Sequence, residues 1–400
     1  MVGFSLFLAL AVGLLVWLTH HDSTYHAPLD RTAGPHVDPG EATTLLDDLQ
    51  SAVRRRDVAA GTRLGATPGE RADLAGVVRN ARAAQVTGFD LRYIDTDGVV
   101  AADGSWAADV ATTWRFAGFD RRAEHLDVRV RFARVAGVLR IAGIGGGGHR
   151  TPVWLSGPLQ VRRTSTSMVL VAGSAEHADA VAALARRAVP QVRRVLPDWR
   201  GGLVIEAPAT QSALEAALGA DSGQYDGIAA VTTTPDGSRS RQASSHVFLN
   251  PPVFDPLRPQ GAQVVVTHEA THVATAAASS PAPIWLVEGF ADYVALSSQS
   301  LPLSTTAARI IALVRHDGAP SHLPGRTQFA AGARNLEARY ESAWLACRLL
   351  AQDGGPDALV AFYRAMDGGG ALAPELRRHF GLTPAAFTRQ WRTLLSHVAA

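Results

Sequence analysis

The stretch that most constrains the fold is His268-Glu269-Ala270-Thr271-His272, because its spacing matches one turn of an α-helix. Residues four apart lie on the same face of a helix, so both imidazoles would point the same way. Two neutral imidazoles one turn apart can share a divalent zinc ion. Glu269 would lie just off that face, within reach of a water molecule whose proton it could accept. The stretch therefore predicts a helix that carries two metal ligands and a base; the alternative is a helix whose His and Glu side chains face solvent.

A second helix is predicted to return alongside the first. Pro281 and Pro283 end the first helix, because proline has no N–H to donate and fixes φ. The chain restarts at Ile284 with apolar residues at helical spacing. Glu288 follows His272 by sixteen positions (288 − 272), which leaves room for half a helix, a turn and an antiparallel return. That path brings a third ligand to the metal.

The order H-E-x-x-H, a proline-containing turn and then W-L-x-E-G-x-A-D-Y resembles the gluzincin zinc peptidases, particularly the bacterial peptidase MA-like group. The resemblance implies that His268, His272 and Glu288 bind zinc and that Glu269 acts as the general base. It also implies a role for Asp292, one helical turn after Glu288, as the acceptor for the free N–H of a ligand histidine.

Tyr340 matches in position a tyrosine that, in many gluzincins, donates its hydroxyl to the oxyanion of the reaction. A fixed donor there stabilises the negative charge that develops. A tyrosine at the start of an amphipathic helix also often serves only for packing, so both interpretations stay open. His316 and His322, from the preceding segment, are weaker candidates for the same role.

Gluzincins also place an edge strand just before the zinc helix, where it pairs with the substrate backbone. The stretch Val247–Asn250 is the candidate for that strand. The G-x-M-E-N sequence, with which many aminopeptidases of this clan hold a substrate amino terminus, does not occur in this chain. Its absence favours an endopeptidase over an aminopeptidase.

The composition is that of a globular chain of two or three domains, with 400 residues, 47% of them hydrophobic and 18% charged. All 38 basic residues are arginine, they are spread through every segment, and the formal net charge is only +2. This distribution favours an evenly solvated surface over a nucleic-acid groove. The expected partner is thus a peptide or protein substrate, and the sequence leaves the oligomeric state open.

The first residues of the chain are expected to meet a membrane. Residues 1–18 are nearly all apolar and carry no charged side chain, which is about the lower limit for spanning a bilayer. A secretory signal would have basic residues before this run and a small-x-small cleavage site after it. We therefore expect a single-pass anchor at 1–19 and a Pro/Gly tether at 20–40, with a cleaved signal and a secreted protein as the alternative. The family resemblance implies that the remainder lies outside the cytoplasm.

Residues 41–148 are predicted to form a small accessory α+β domain. Apolar residues keep helical spacing in two segments, and the period then changes to two in four segments separated by turn signals such as Asp97-Gly98 and Gly137. Helices followed by a curved antiparallel meander weakly resemble the nuclear-transport-factor-2-like and cystatin-like folds. No cluster of acids and histidines is apparent in this segment, so no chemistry is assigned to it.

The run Gly143–Gly148 formally satisfies a dinucleotide-binding pattern, but such a site requires a helix to open next. Pro152 and its neighbours do not easily begin one, so a linker over 149–160 is predicted. Residues 161–400 are predicted to be the zinc peptidase domain, with a mixed sheet and the zinc helices at 161–300 and a helical subdomain at 301–400.

The sequence as a whole predicts an α+β protein that hydrolyses peptide bonds with zinc. The alternative is a catalytically inactive zinc-binding or scaffold module at the cell envelope. Glu269 argues against that alternative, because a structural zinc site has no need of a base.

Overall fold

The computed structural model describes residues 37–238, 240–299, 301–330 and 332–400. The predicted anchor and nearly all of the predicted tether lie outside the described residues. Within these ranges no helix is both long enough and apolar enough to cross a membrane. The last residues of the predicted tether, Pro39 and Gly40, already belong to the first helix.

Three helices open the described chain, and each begins at a side chain that caps it. Asp38, Asp57 and Thr67 each accept a hydrogen bond from the backbone N–H three residues further on, which satisfies a donor that the helix itself cannot. The helices are α1 (Pro39–Arg55), α2 (Val58–Arg63) and α3 (Pro68–Ala84).

A four-stranded antiparallel meander follows in the order β1-β2-β3-β4. Its strands are β1 (Val86–Asp97), β2 (Trp106–Phe116), β3 (Glu124–Val135) and β4 (Val138–Ile144). Inward-facing side chains such as Val110, Trp114 and Phe132 pack against the helices. Helices followed by a meander were predicted for this segment, and the structure confirms that arrangement; the likeness to a named fold stays a prediction.

The segment predicted as a linker is packed into the protein. A short 3₁₀ turn at Val153–Leu155 is buried. Asn80 of α3 donates to the carbonyl oxygens of Trp154 at 2.9 Å and Gly157 at 2.7 Å, and its own side-chain oxygen accepts from the N–H of Leu159. Residues 37–400 accordingly form one compact unit.

A five-stranded mixed sheet forms the second half of the protein, in the order β5-β6-β7-β9-β8. The central strands β6, β7 and β9 are parallel, whereas β5 and β8 pair antiparallel to their neighbours. The mixed sheet was predicted and is confirmed. The strands are β5 (Gln160–Arg163), β6 (Ser167–Val171), β7 (Leu203–Ala207), β8 (Ala230–Thr233) and β9 (His246–Leu249).

The edge strand is not the one predicted from the sequence. Val247 pairs with Ile205 on one side and with Thr232 on the other, so β9 lies inside the sheet. In the described structure the edge strand on that side of the sheet is β8, and β5 forms the opposite edge. Position along the chain misled the prediction: β9 is the last strand before the helix with the two histidines, but β8 folds back and pairs outside it.

Both faces of the second sheet are covered. Met168 and Leu170 pack with the N-terminal helices and meander, whereas Val169 and Val171 pack with the helices of the second half. This alternation follows from the two-residue period of a strand. Burial on both faces explains why the central strands are apolar almost throughout.

The helices of the second half surround that sheet and end in the predicted helical region. Thr383 caps the last helix through the N–H of Ala386 at 3.2 Å, as its sequence predicts. The helices are α4 (Ala175–Val195), α5 (Gln211–Leu218), α6 (Pro251–Phe254), α7 (Pro259–Thr275), α8 (Ile284–Leu296), α9 (Leu303–Thr306), α10 (Ala308–Asp317), α11 (Leu336–Gly354), α12 (Pro356–Asp367), α13 (Leu372–Phe380) and α14 (Pro384–Ala399).

Candidate metal centre

Helices α7 and α8 place the two sequence motifs against each other. Helix α7 carries both histidines and ends where Ala276 adopts a left-handed conformation, with φ of 51°. Helix α8 then returns with Glu288 on the side that faces α7. Gly289 lets α8 pack closely on α11 on its other side, because a Cβ there would lie 2.3 Å from the carbonyl oxygen of Ala343 in α11. The glycine in the motif is therefore required by the close approach of α8 and α11.

The three predicted ligands converge. The Nε2 atoms of His268 and His272 lie 2.9 Å apart, and each lies 3.3 Å from Oε2 of Glu288. Ligand atoms around a tetrahedral zinc ion are about 3.3 Å apart, given zinc–nitrogen bonds of about 2.0–2.1 Å. These three residues, called the metal cluster below, form a group that could hold a metal ion. The donor set of two imidazoles and a carboxylate fits zinc.

Asp292 lies where the family resemblance places it. Its Oδ1 lies 2.7 Å from Nδ1 of His268. An N–H donated from Nδ1 leaves the lone pair on Nε2, which faces the other two ligand atoms. By contrast, Nδ1 of His272 is buried and has no hydrogen-bond partner among the described residues. The two histidines are thus held differently: a carboxylate contacts Nδ1 of His268, whereas Nδ1 of His272 has only packing contacts.

The charges of the metal cluster reinforce one another. Burial opposes ionisation of Glu288, but the neighbouring His272 and His268 hold the pKa of its carboxyl well below the usual range. Burial likewise disfavours a charged His268, yet Asp292 and Glu288 raise its pKa well above the ordinary value. Without a metal these partners therefore keep Glu288 ionised and favour a charged His268, and a bound metal ion would take the place of the proton on Nε2.

Glu269 contacts the edge strand. The hydroxyl of Thr232 in β8 donates to Oε2 of Glu269 at 2.6 Å and also lies 3.2 Å from its backbone oxygen. This contact fixes the carboxylate of Glu269 against β8. Thr232 was not identified from the sequence, because it belongs to a Val-Thr-Thr-Thr stretch in which nothing local shows which threonine faces the helix.

Tyr340 reaches the site, whereas the two alternative histidines do not. Its ring centroid lies 6.1 Å from that of His268 and 5.1 Å from that of Phe329. Burial, with smaller contributions from nearby acids, raises the pKa of Tyr340 well above its ordinary value, so its hydroxyl keeps its proton. The side chain of His316 is 86% exposed and pairs with its neighbour Asp317; His322 is also exposed.

A third buried histidine, His246, was not predicted as a site residue. Nδ1 of His246 lies 2.6 Å from Oε1 of Glu206, and its Nε2 lies 2.9 Å from Oδ1 of Asp120. Burial disfavours the charged ring, but the two carboxylates outweigh it and raise the pKa of His246 to about 10. These three residues are called the interface cluster, because Asp120 comes from the N-terminal half and the others from the second sheet. The one available signal was a histidine directly before an apolar strand.

Glu124 lies close to the interface cluster. Both of its carboxyl oxygens are buried without a hydrogen-bond partner among the described residues. Burial raises its pKa to about 8, so the group is largely neutral at pH 7. The N-terminal half, to which no chemistry was assigned, thus contributes two acids to this region.

A further group of possible ligands, Asp97, Asp109 and His149, lies at the partly exposed end of the meander. Arg129 pairs with Asp97 there and supplies a positive charge of its own.

Comparisons of the chain with protein-family models, curated proteins and solved structures gave no match. The residues of the site are therefore what indicates a function for this chain.

Proposed function

We propose that the protein is a zinc-dependent peptidase of the gluzincin type, an endopeptidase rather than an aminopeptidase. The observation that supports this most is the convergence of the two Nε2 atoms and Oε2 of Glu288 to within 3.3 Å. A carboxylate that does not belong to the ligand set, Glu269, lies beside them. A site that only bound metal would not require it.

His268, His272 and Glu288 would hold the zinc. When bound, zinc acidifies water and polarises the scissile carbonyl. Glu269 accepts the proton of the attacking water and delivers it to the leaving amine. Thr232 holds one oxygen of that carboxylate and thereby fixes its orientation. The protonated hydroxyl of Tyr340 is the donor available to the developing oxyanion.

The outer edge of β8 is the surface that fits an extended peptide. No other strand of the described chain pairs with that edge, so its backbone N–H and C=O groups are available to a further strand. Thr232 joins this edge to Glu269. A peptide added along β8 therefore passes beside both the base and the metal cluster.

Residues 1–19 are proposed to anchor the enzyme in a membrane, with residues 37–400 on the extracytoplasmic side. The proposal depends on the uncharged apolar run in the sequence. Membrane fractionation of the full chain tests it: we expect it in the membrane fraction at full length. A soluble product shortened by about twenty residues would indicate a cleaved signal instead.

The peptidase proposal is tested by Glu269→Gln, which keeps the size of the side chain and removes the base. We expect zinc to stay bound while hydrolysis of a mixed peptide library falls by about 10²–10⁴-fold. Glu337→Gln is the matched control, because Glu337 is exposed on α11 and should leave the rate unchanged. If the zinc-loaded wild type hydrolyses no peptide over a broad pH range, an inactive scaffold is the better account.

A further inference from the structure

A cavity of about 620 Å³ lies at the C-terminal end of α7. Thr275 and Ala276 line it. Thr275 follows His268 by seven positions and Ala276 follows His272 by four, so both continue the helix face that carries the ligands. At 1.5 Å per residue, Ala276 lies about 6 Å beyond His272 along the helix axis. The cavity therefore begins about one helical turn beyond His272 on the same side of α7.

The buried side of the cavity is aromatic and fixed to the same pair of helices. Tyr363 of α12 lines it and is only 2% exposed. Its ring stacks on Phe290 with centroids 4.4 Å apart, and Phe290 lies two residues after Glu288. Trp199 is a second aromatic lining residue. This wall therefore packs directly on α8, the helix that carries Glu288.

Six charged side chains line the cavity, four of them basic. They are Arg121, Arg200, Arg241, Arg364, Asp198 and Asp367. Arg364 pairs with Asp198 at 2.9 Å, and Arg241 pairs with Asp367. Arg121 and Arg200 form no ion pair with any acid of the described chain. The rim consequently carries two uncompensated positive charges.

The cavity also lies on the path of a peptide along β8. That strand ends at Thr233, and the loop that follows it carries Arg241 to the cavity rim. An extended chain advances about 3.3 Å per residue. Because the cavity begins about 6 Å beyond His272 along α7, a peptide that continued past Thr233 would reach it about two to four residues from the bond at the metal cluster.

We propose that this cavity is a substrate subsite that selects an acidic side chain, Asp or Glu, at a position two to four residues from the scissile bond. The proposal rests on the peptidase function proposed above. Arginine recognises a carboxylate through parallel N–H donors, and Arg121 and Arg200 are free to do so. The two arginines already paired with aspartate keep the rim ordered.

The test is a cleavage profile with a peptide library blocked at both termini, so that only side chains can supply carboxylates. For the zinc-loaded wild type we expect Asp and Glu to be enriched at one position within that window. Arg121→Glu/Arg200→Glu should lower kcat/KM for acidic peptides by about three- to tenfold, the size expected for partly screened charges. Arg79→Glu/Arg389→Glu, at two exposed positions outside the cavity, is the matched control and should leave the profile unchanged.

The possible failures are distinguishable. A wild type that cleaves nothing contradicts the peptidase function itself. Cleavage without an acidic preference, or a preference that survives both Arg121→Glu/Arg200→Glu and the milder Arg121→Ala/Arg200→Ala, contradicts the subsite alone. Binding of an acidic and a basic peptide of equal length to the Glu269→Gln variant supplies a readout without turnover. We expect the acidic peptide to bind more tightly and to lose its advantage as salt is added.

Discussion

The protein contains two buried clusters of histidine and carboxylate that use the same residue types in opposite ways. In the interface cluster each ring nitrogen of His246 faces a carboxylate of its own. In the metal cluster the two Nε2 atoms face each other and share one oxygen of Glu288. In the interface cluster both ring nitrogens of His246 have a hydrogen-bond partner. In the metal cluster three possible ligand atoms are directed at one point. A candidate metal centre is distinguished from a buried ion pair by ligand atoms that converge on one point, not by the residue types it contains.

The two clusters also differ in what they join. The metal cluster draws on two neighbouring helices that follow each other in the chain, α7 and α8. The interface cluster joins β7 and β9 to Asp120 of the N-terminal half, and His246 pairs with Thr233, the neighbour of Thr232. One cluster therefore performs chemistry in our account, and the other fixes the N-terminal half to the strands beside that chemistry.

The largest difference is expected when each cluster loses one member. Glu288→Ala should reduce zinc from one per chain to a small fraction and reduce peptide hydrolysis to background, because two imidazoles leave the coordination incomplete. His246→Gln should keep one zinc per folded chain. Metal content by atomic emission measures both. Full zinc occupancy in the Glu288 variant would remove that residue from the ligand set.

For the free energy of unfolding the ranking should be reversed: loss of a member of the interface cluster, here Asp120, should cost more than loss of Glu288. Asp120→Ala removes the acceptor of two buried hydrogen bonds, from Nε2 of His246 and from the backbone N–H of Phe116, and each buried donor left without a partner costs about 1–3 kcal/mol. Urea unfolding of the metal-free proteins measures the loss, with Glu288→Ala as the comparison. A change below about 1 kcal/mol in the Asp120 variant would contradict the proposed role of the interface cluster.

The stability of the interface should also depend on pH. The pKa of His246 is raised to about 10, so its contribution is complete below the unfolded value of 6.5 and is lost as the pH rises towards 10. Glu124, with a pKa of about 8, acts in the same direction, because ionising it in the folded protein is unfavourable. Stability should therefore fall from neutral to alkaline pH. Unfolding curves of wild type and His246→Gln across this range test the slope, which the variant should flatten.

The smallest effect is expected at Thr232, which links the edge strand to the base. Thr232→Val removes the hydrogen bond to Glu269 and should lower kcat about tenfold with little change in KM, as expected for a bond to a charged group. Thr232→Ser keeps the hydroxyl and should restore most of the rate. Loss of zinc or of thermal stability in the valine variant would instead indicate a purely structural role.

Contacts between residues close together in the chain could be predicted from the sequence, whereas contacts between residues far apart in the chain could not. His268, His272, Glu288 and Asp292 are separated by helical spacings and one short turn, so local rules place them. Thr232 and Glu269, or Asp120 and His246, meet only through sheet order and the packing of the two halves. Nothing local in the sequence indicates that these residues are partners of one another. For the same reason the stretch 247–250 was predicted as an edge strand, although β8 pairs with it on its outer side.

The most direct test of the central claim is X-ray absorption at the zinc edge on the purified full chain. We predict one zinc per chain with two histidine nitrogens and a carboxylate oxygen among its ligands, at about 2.0–2.2 Å. The spectrum should be unchanged in His246→Gln, whereas His272→Ala should retain only a small fraction of the zinc, because His268 and Glu288 alone leave the coordination incomplete. A chain that binds no zinc, or a zinc signal that is lost with His246 and kept without His272, would contradict the account.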